Sequence, residues 1–131
     1  MNREGRDRIE KIGKTIVHSA ITVHKALGPG LLESAYQSCL GFELESSGFE
    51  VDYEVKIPVR YRGLSIDNGY RADMLVARGV IVENKVVEHL LPIHAAQILT
   101  YLELGGYRLG YLLNWHVTLM KHGIHRYVLR L

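Results

Sequence analysis

Three charged side chains stand in two apolar segments near the middle of the chain. Asp73 precedes the run at residues 74–76, and Glu83 and Lys85 follow the run at residues 80–82. Successive side chains of a strand alternate between its two faces, so Glu83 and Lys85 point the same way. Such charges are costly in an apolar sheet unless a cation or a reacting anion uses them. The pattern predicts a catalytic cluster, and phosphodiester hydrolysis is the first chemistry to consider.

Each of these residue types suits a role in that chemistry. A turn at Arg78 and Gly79 would fold Asp73 back beside Glu83, and Mg²⁺ prefers such hard anionic oxygens. The metal would lower the pKa of an attacking water, which Lys85 could orient or help deprotonate. The alternative is an exposed Glu83–Lys85 ion pair, since Glu-x-Lys is common by chance. The apolar character of both strands counts against it.

Three further polar side chains are candidates for the same site. Glu33 follows Gly30 by three residues, where a second helix opens. It either complements the helix N-terminal dipole or adds a further metal-site carboxylate, and geometry favours neither reading. Gln97 and Tyr101 are four residues apart on a predicted helix and face one direction. They could hold a phosphate or Lys85, or bond a structural backbone group.

Other kinds of site find less support. His24 and His94 could ligate a metal, but lone histidines near helix ends are more often surface or satisfied core residues. The remaining histidines show no metal-site spacing, so no zinc site is predicted. The sequence also lacks a Gly-rich phosphate loop and a Gly-x-Ser-x-Gly elbow, which argues against nucleoside triphosphate binding and serine-based acyl transfer.

The elements that must position these residues follow from hydrophobic periodicity. An amphipathic helix is predicted over residues 5–27 and a second over 31–47, with Gly-Pro-Gly between them. Residues 49–61 alternate as a half-exposed strand, where Pro58 favours an edge position or a bulge. A turn-rich segment, 62–69, leads into the paired central strands. A helix over 93–104 and strands over 108–115 and 124–129 complete an α/β fold with a mixed sheet flanked by helices.

Composition sets broad limits on the class of protein. With 131 residues and 47% hydrophobic content, residues 1–131 are predicted to form one domain. The net charge of +2 is compatible with a polyanionic partner but far below that of a dedicated nucleic-acid coat protein. The single cysteine, Cys39, is predicted to be a buried structural thiol. Neither a signal-peptide core nor a membrane-length apolar run is present, which predicts a soluble cytoplasmic protein.

Several segments together resemble a known family. Residues 30–36, GLLESAY, resemble the signature of the GxxExxY protein family, a branch of the PD-(D/E)XK nuclease superfamily. The segments around Asp73, Glu83 and Gln97 follow in the family's order. The resemblance implies a restriction-endonuclease-like core of helix, three strands, helix and strand, which agrees with the order predicted from periodicity.

The resemblance also implies residue roles. By it, Asp73 and Glu83 bind Mg²⁺ or Mn²⁺, Lys85 assists the nucleophilic water, and Glu33 supplies the helix carboxylate.

The C-terminal part of the resemblance concerns the kind of DNA substrate. Gln97 and Tyr101 resemble the Gln-x-x-x-Tyr element of RecB-like and Cas4-like exonucleases, which suggests action near DNA ends or single strands. Asn84 departs from the family, which usually places an apolar residue between the glutamate and the lysine.

Three functions are therefore considered. The first is a metal-dependent nuclease acting on DNA. The second is a non-catalytic nucleic-acid-binding or partner-interaction module on a nuclease fold, since a fold does not fix function. The third is a hydrolase of small phosphate esters, which would need a closed pocket. The small size leaves little outside the core to grip a substrate, and a homodimer could supply the missing surface.

Overall fold

The computed structural model describes residues 1–131. It contains three α-helices, five strands and one short 3₁₀ turn. In chain order these are α1 (Arg3–Leu27), α2 (Glu33–Ser46), β1 (Val51–Tyr61), β2 (Leu64–Val76), β3 (Val80–Lys85), α3 (Pro92–Gly105), β4 (Leu109–Asn114), the 3₁₀ turn (Met120–His122) and β5 (Ile124–Val128). The predicted order of helices and strands is confirmed, with boundaries within a few residues.

The five strands form one mixed sheet in the order β1-β2-β3-β4-β5. β3 and β4 are parallel and the other neighbouring pairs are antiparallel. α3 connects the parallel pair, because parallel strands need a long crossover connection. β3 is therefore the central strand, and the α/β fold is consistent with a restriction-endonuclease-like core.

Helices cover both faces of the sheet. α1 and α2 pack on one face over a cluster of 17 buried residues, and α3 packs on the other face over a cluster of five. α1 is oriented by its apolar positions Ile9, Ile12, Ile16, Ala20 and Val23, which are all buried and recur at helical spacing. Its first turn is capped by the Asn2 side chain, which accepts the Gly5 N–H at 2.8 Å. No helix is both long enough and apolar enough to cross a membrane.

β1 is an edge strand, as Pro58 predicted, and its register with β2 shifts between Ile57 and Val59. Proline cannot donate to the ladder, so both features follow from its missing N–H. Cys39 is half-buried at the margin of the larger core, less buried than predicted, and is free.

The prediction of a turn-rich segment over residues 62–69 is wrong. Only Arg62 and Gly63 form the turn, with φ of 47° and 83°, and Leu64 already pairs with Tyr61. Two consecutive positive φ values are typical of the two-residue hairpin turn that suits the twist of the strands. Residues 64–69 are exposed, so their polar side chains have the composition of a loop although the backbone is a strand.

The outer part of this hairpin extends past the rest of the sheet. β3 pairs with residues 74–76 of β2 alone, whereas β1 and β2 pair from Val51 to Tyr61. Residues 58–69 are therefore paired only within the hairpin, and we call this segment the hairpin arm.

Candidate active site

The turn between β2 and β3 brings two carboxylates together. The Gly79 N–H donates to the Val76 carbonyl at 3.0 Å, and Ala77 and Arg78 occupy the left-handed region at φ 50° and 54°. The turn thus starts one residue earlier than predicted. The last pair of the ladder is Met74 with Val82, so the next residues along, Asp73 and Glu83, face each other.

Hydrogen bonds fix this carboxylate pair. Glu83 Oε1 accepts the Asp73 N–H at 3.2 Å and also the hydroxyl of Tyr70. In return, Asp73 Oδ2 accepts the Asn84 N–H at 2.8 Å. Each carboxylate is therefore held by the backbone of the other's strand, and the two anionic groups remain neighbours.

A local irregularity in the sheet aims the Asp73 side chain. Ala72 and Leu75 both contact the smaller core, whereas Met74 contacts the larger one, so strict alternation of β2 fails at Asp73. On β1, the residue facing Asp73 is Glu54, whose φ is 50°. Such irregularities re-aim side chains and are common beside active sites.

The carboxylate pair has no salt-bridge partner and is only partly compensated by Lys85 and by its hydrogen bonds. Burial, reinforced by the neighbouring Asp73, raises the pKa of Glu83 to about 8 from an ordinary 4.5. Burial also raises the pKa of Asp73, although the Asn84 N–H opposes this by stabilising the charged form. The three salt bridges of the chain all lie elsewhere. The pair therefore favours a proton or a cation.

Five of the six candidate residues line one cavity. It has a volume of about 250 Å³ and includes Asp73, Glu83, Lys85, Gln97 and Tyr101. β2 and β3 supply the charged residues, and α3 supplies the amide and the phenol. The structure thus brings the acidic pair, the lysine and the two neutral polar groups together.

The cavity also contains residues that the sequence did not single out. Tyr70 donates to Glu83, and its ring stacks on Tyr101 at an interplanar angle of 13°. Tyr70 is three residues from Asp73, so regular alternation would place the two side chains on opposite faces of β2. Only the irregularity in β2 brings them to the same cavity, and the sequence does not show it. His94 also lines the cavity, where its Nδ1 accepts the Leu91 N–H at 3.0 Å and so caps α3.

Glu33 lies in an adjoining cavity at the first position of α2. Its neighbours there include Gln37, Glu54 and Asp73, and Asp73 lines both cavities. Burial, with the charges of Asp73 and Glu54, raises the pKa of Glu33, and Lys85 opposes the shift. No three histidine, cysteine or acidic side chains form a ready metal cluster. Asp73 and Glu83 are the two carboxylates that share one cavity, and Glu33 lies in the adjoining cavity on the other side of Asp73.

The tyrosine of the 30–36 segment has a structural position. Tyr36 is fully buried and stacks on Trp115, with ring centroids 4.8 Å apart. Its hydroxyl donates to the Gly28 carbonyl and accepts the Leu31 N–H at 3.2 Å. Tyr36 therefore holds the connection between α1 and α2, which in turn fixes the start of the helix that carries Glu33.

Asn84 is satisfied by polar partners beneath the site. It is fully buried, its Oδ1 accepts the indole N–H of Trp115 at 2.9 Å, and its Nδ2 donates to Gln37 at 3.3 Å. A buried amide needs such partners, so the departure from the family pattern leaves the strand buried.

Comparison with known proteins shows which family the chain belongs to. Residues 10–127 match the sequence profile of the PD-(D/E)XK nuclease superfamily. The chain belongs to this superfamily. No curated protein and no solved structure matches it. As a PD-(D/E)XK nuclease relative, the chain carries its acidic pair and lysine within the matched region, and nucleic acid is the substrate class that membership implies. The GxxExxY family and the RecB-like and Cas4-like branch stay predictions.

Proposed function

We propose that this protein is a divalent-metal-dependent nuclease that hydrolyses phosphodiester bonds of DNA in the cavity of Asp73, Glu83 and Lys85. The observation that carries the proposal is the pair of a half-buried Asp73 and a buried Glu83, whose pKa values are raised and which no basic side chain neutralises at salt-bridge distance. An arrangement that opposes folding in this way is typical of functional sites.

The donor set fits a hard divalent cation. Asp73 and Glu83 supply carboxylate oxygens from two adjacent strands, and Mg²⁺ or Mn²⁺ is the class of ion that such ligands suit. Glu33 is proposed as a further carboxylate, from the adjoining cavity that Asp73 also lines. A bound divalent ion would polarise the scissile phosphate and lower the pKa of an attacking water.

The remaining residues of the cavity have separate roles in this proposal. Lys85 would orient the attacking water and offset negative charge that develops on the phosphate. Tyr70 keeps the Glu83 carboxylate oriented through its hydroxyl. Gln97 and Tyr101 offer neutral hydrogen-bond donors on the α3 wall, where they would contact the phosphate backbone.

The hairpin arm is proposed to grip the DNA. The arm carries two basic side chains, Arg60 and Arg62, against one acidic side chain, Asp67, and Lys56 and Arg71 flank it on the two strands. Arg60, Tyr61 and Arg62 are exposed at the tip, where the guanidinium of Arg62 lies 5.8 Å from the Tyr61 ring centroid. Basic and aromatic groups of this kind contact phosphates and bases.

Cleavage of defined DNA tests the proposal. Purified protein is incubated with single-stranded, nicked and duplex DNA in Mg²⁺, Mn²⁺ or EDTA. We expect metal-dependent products from the wild type and a loss of at least about a hundredfold in Lys85→Ala, as for removal of other catalytic proton-transfer groups. Lys11→Ala, which removes an exposed α1 charge, is the matched control. Equal cleavage by Lys85→Ala and the wild type would refute the proposal.

The hairpin arm also favours a second candidate, a non-catalytic nucleic-acid-binding module. Arg60 and Arg62 lie outside the carboxylate cavity, which the flanking Arg71 lines, and their charges do not depend on a bound ion. In that case DNA binding would weaken with salt and survive Asp73→Ala, and the wild type would show no metal-dependent cleavage.

A further inference from the structure

A second and larger cavity lies apart from the carboxylate cavity. It has a volume of about 520 Å³ and opens between the last turns of α1 and residues 118–121. Ile21, Leu119 and Met120 give it apolar walls. It shares no residue with the carboxylate cavity, and its volume is in the range of small-molecule sites.

His24 lines this cavity and carries a buried nitrogen without a hydrogen-bond partner. Only 6% of the residue is exposed, and its Nε2 is the one buried side-chain nitrogen or oxygen of the chain without a hydrogen-bond partner. The sequence predicted a surface or satisfied core histidine, and this is wrong. A buried polar atom without a hydrogen-bond partner destabilises the folded protein, so a ligand that bonds it would remove that free-energy cost.

The mouth of the cavity is positively charged. Lys25 and Lys121 both line it, both are exposed, and neither takes part in a salt bridge. No acidic residue is among the lining residues. Two ammonium groups beside an apolar wall favour a ligand that has an anionic group at one end and an apolar body at the other.

We propose that this cavity binds a nucleoside monophosphate, either free or as the terminal nucleotide of a strand. The base would lie on the apolar wall of Ile21, Leu119 and Met120, beside His24, and its edge would bond His24 Nε2 once the imidazole ring turns toward the cavity. The phosphate would contact Lys25 and Lys121. The site is separate from the catalysis proposed above and requires no metal.

Calorimetric titration in EDTA tests the site. The ligands are deoxyadenosine monophosphate, deoxyadenosine, inorganic phosphate, and one oligonucleotide with and without a 5′-phosphate. We expect the monophosphate to bind at least about tenfold more tightly than deoxyadenosine or inorganic phosphate. A preference for the 5′-phosphorylated oligonucleotide over the monophosphate would assign the site to strand ends, and the reverse preference to free nucleotides.

Variants connect the binding to named side chains. Lys25→Ala and Lys121→Ala should each weaken binding by about tenfold, whereas Lys14→Ala, which removes an exposed charge elsewhere on α1, should not. His24→Phe keeps a ring against Trp115 and removes both nitrogens, so it should also weaken binding. The exposed lysines can be replaced without disturbing the core, which keeps the test valid if His24→Phe fails to fold.

Three results would overturn the proposal. They are an absence of heat with the monophosphate, equal binding of inorganic phosphate and the monophosphate, and unchanged affinity in both lysine variants. Binding should persist in Lys85→Ala, so failure of this site and failure of the nuclease proposal give different results.

Discussion

Glu83 holds its carboxylate where an anion is least stable. The residue is 5% exposed, and Asp73 adds a second negative charge beside it. Hydrogen bonds from Tyr70 and from the Asp73 N–H partly compensate for the loss of water. Under the proposed function, the same burial that opposes folding would make the pair a strong ligand for a cation, a trade between stability and function that active sites often show.

Replacing this carboxylate by its amide should separate stability from function. Glu83→Gln keeps the acceptor oxygen for Tyr70 and removes the charge, so we expect the metal-free protein at pH 8 to gain roughly 1–3 kcal/mol of unfolding free energy. Cleavage should fall to background in the same variant. Urea unfolding measures the gain, and Glu88→Gln, at an exposed position, is the control. A less stable Glu83→Gln protein would contradict this account.

The raised pKa of Glu83 also predicts a pH dependence of stability. Between the ordinary pKa of 4.5 and the native value of about 8, the folded protein keeps a proton that the unfolded chain has released. The unfolding free energy in EDTA should therefore decrease as pH rises through this range, by at most about 1.4 kcal/mol per pH unit. Urea titrations at several pH values measure the slope. The slope should flatten in Glu83→Gln, and an unchanged slope would assign the effect to other groups.

The connection between α1 and α2 shows how one element places a candidate site residue. Gly28 and Gly30 have φ of 66° and 107°, values that glycine adopts without strain. Tyr36 then bonds both sides of this connection through its hydroxyl. The GxxExxY-like spacing thus combines a glycine at a positive φ, a carboxylate at the start of α2, and a tyrosine whose hydroxyl holds the connection between the two helices.

Removing the Tyr36 hydroxyl tests this brace. Tyr36→Phe retains the ring that stacks on Trp115 but leaves the Gly28 carbonyl and the Leu31 N–H without their partner. We expect a loss of about 1–3 kcal/mol in unfolding free energy. Tyr61→Phe, at an exposed ring of the hairpin arm, should show almost no change in the same urea experiment. An equal loss in both variants would contradict the structural role.

Much of the fold could be predicted because runs of apolar residues in the sequence indicate which strands are buried. The apolar runs at residues 74–76 and 80–82 are buried on both faces, as expected of central strands. The segment 64–69 could not be predicted in the same way. It pairs within an exposed hairpin, so no apolar period marks it as a strand.

The carboxylate cavity was predictable where charge interrupts an apolar pattern, as at Asp73, Glu83 and Lys85. Glu54 was not, because on an alternating strand it has the pattern of a solvent-facing residue, and only its positive φ opposite Asp73 brings it near the carboxylates. His24 also escaped prediction, since periodicity places it on α1 but says nothing about partners for its ring nitrogens.

At the scale of the whole molecule, the carboxylate cavity and the hairpin arm both lie outside the two apolar clusters. Helices cover both faces of the sheet, the carboxylate cavity opens between β2, β3 and α3, and the hairpin arm extends beyond β3. A basic arm next to an acidic cavity would hold a polyanion while a cation neutralises the cavity. Under the proposed function, the hairpin arm is the substrate-gripping surface that the small core does not provide.

Loss of two charges from the hairpin arm should weaken DNA binding without affecting the cavity. Arg60→Ala combined with Arg62→Ala should lower affinity and reduce the slope of log affinity against log salt by roughly 1.4–1.8. Fluorescence anisotropy at several salt concentrations measures the slope. Lys11→Ala combined with Lys14→Ala removes the same charge from α1 and is the control. Equal slopes for the two double variants would place the DNA elsewhere.

The central claim is that Asp73 and Glu83 hold a divalent cation. Crystals soaked in Mn²⁺ test this most directly, because the metal gives an anomalous peak at its own position. We predict one strong peak between the carboxylates of Asp73 and Glu83, within about 2.0–2.3 Å of their oxygens, and its loss in Glu83→Gln. A protein saturated with Mn²⁺ that shows no peak there, or shows its peak at another site, would contradict the account.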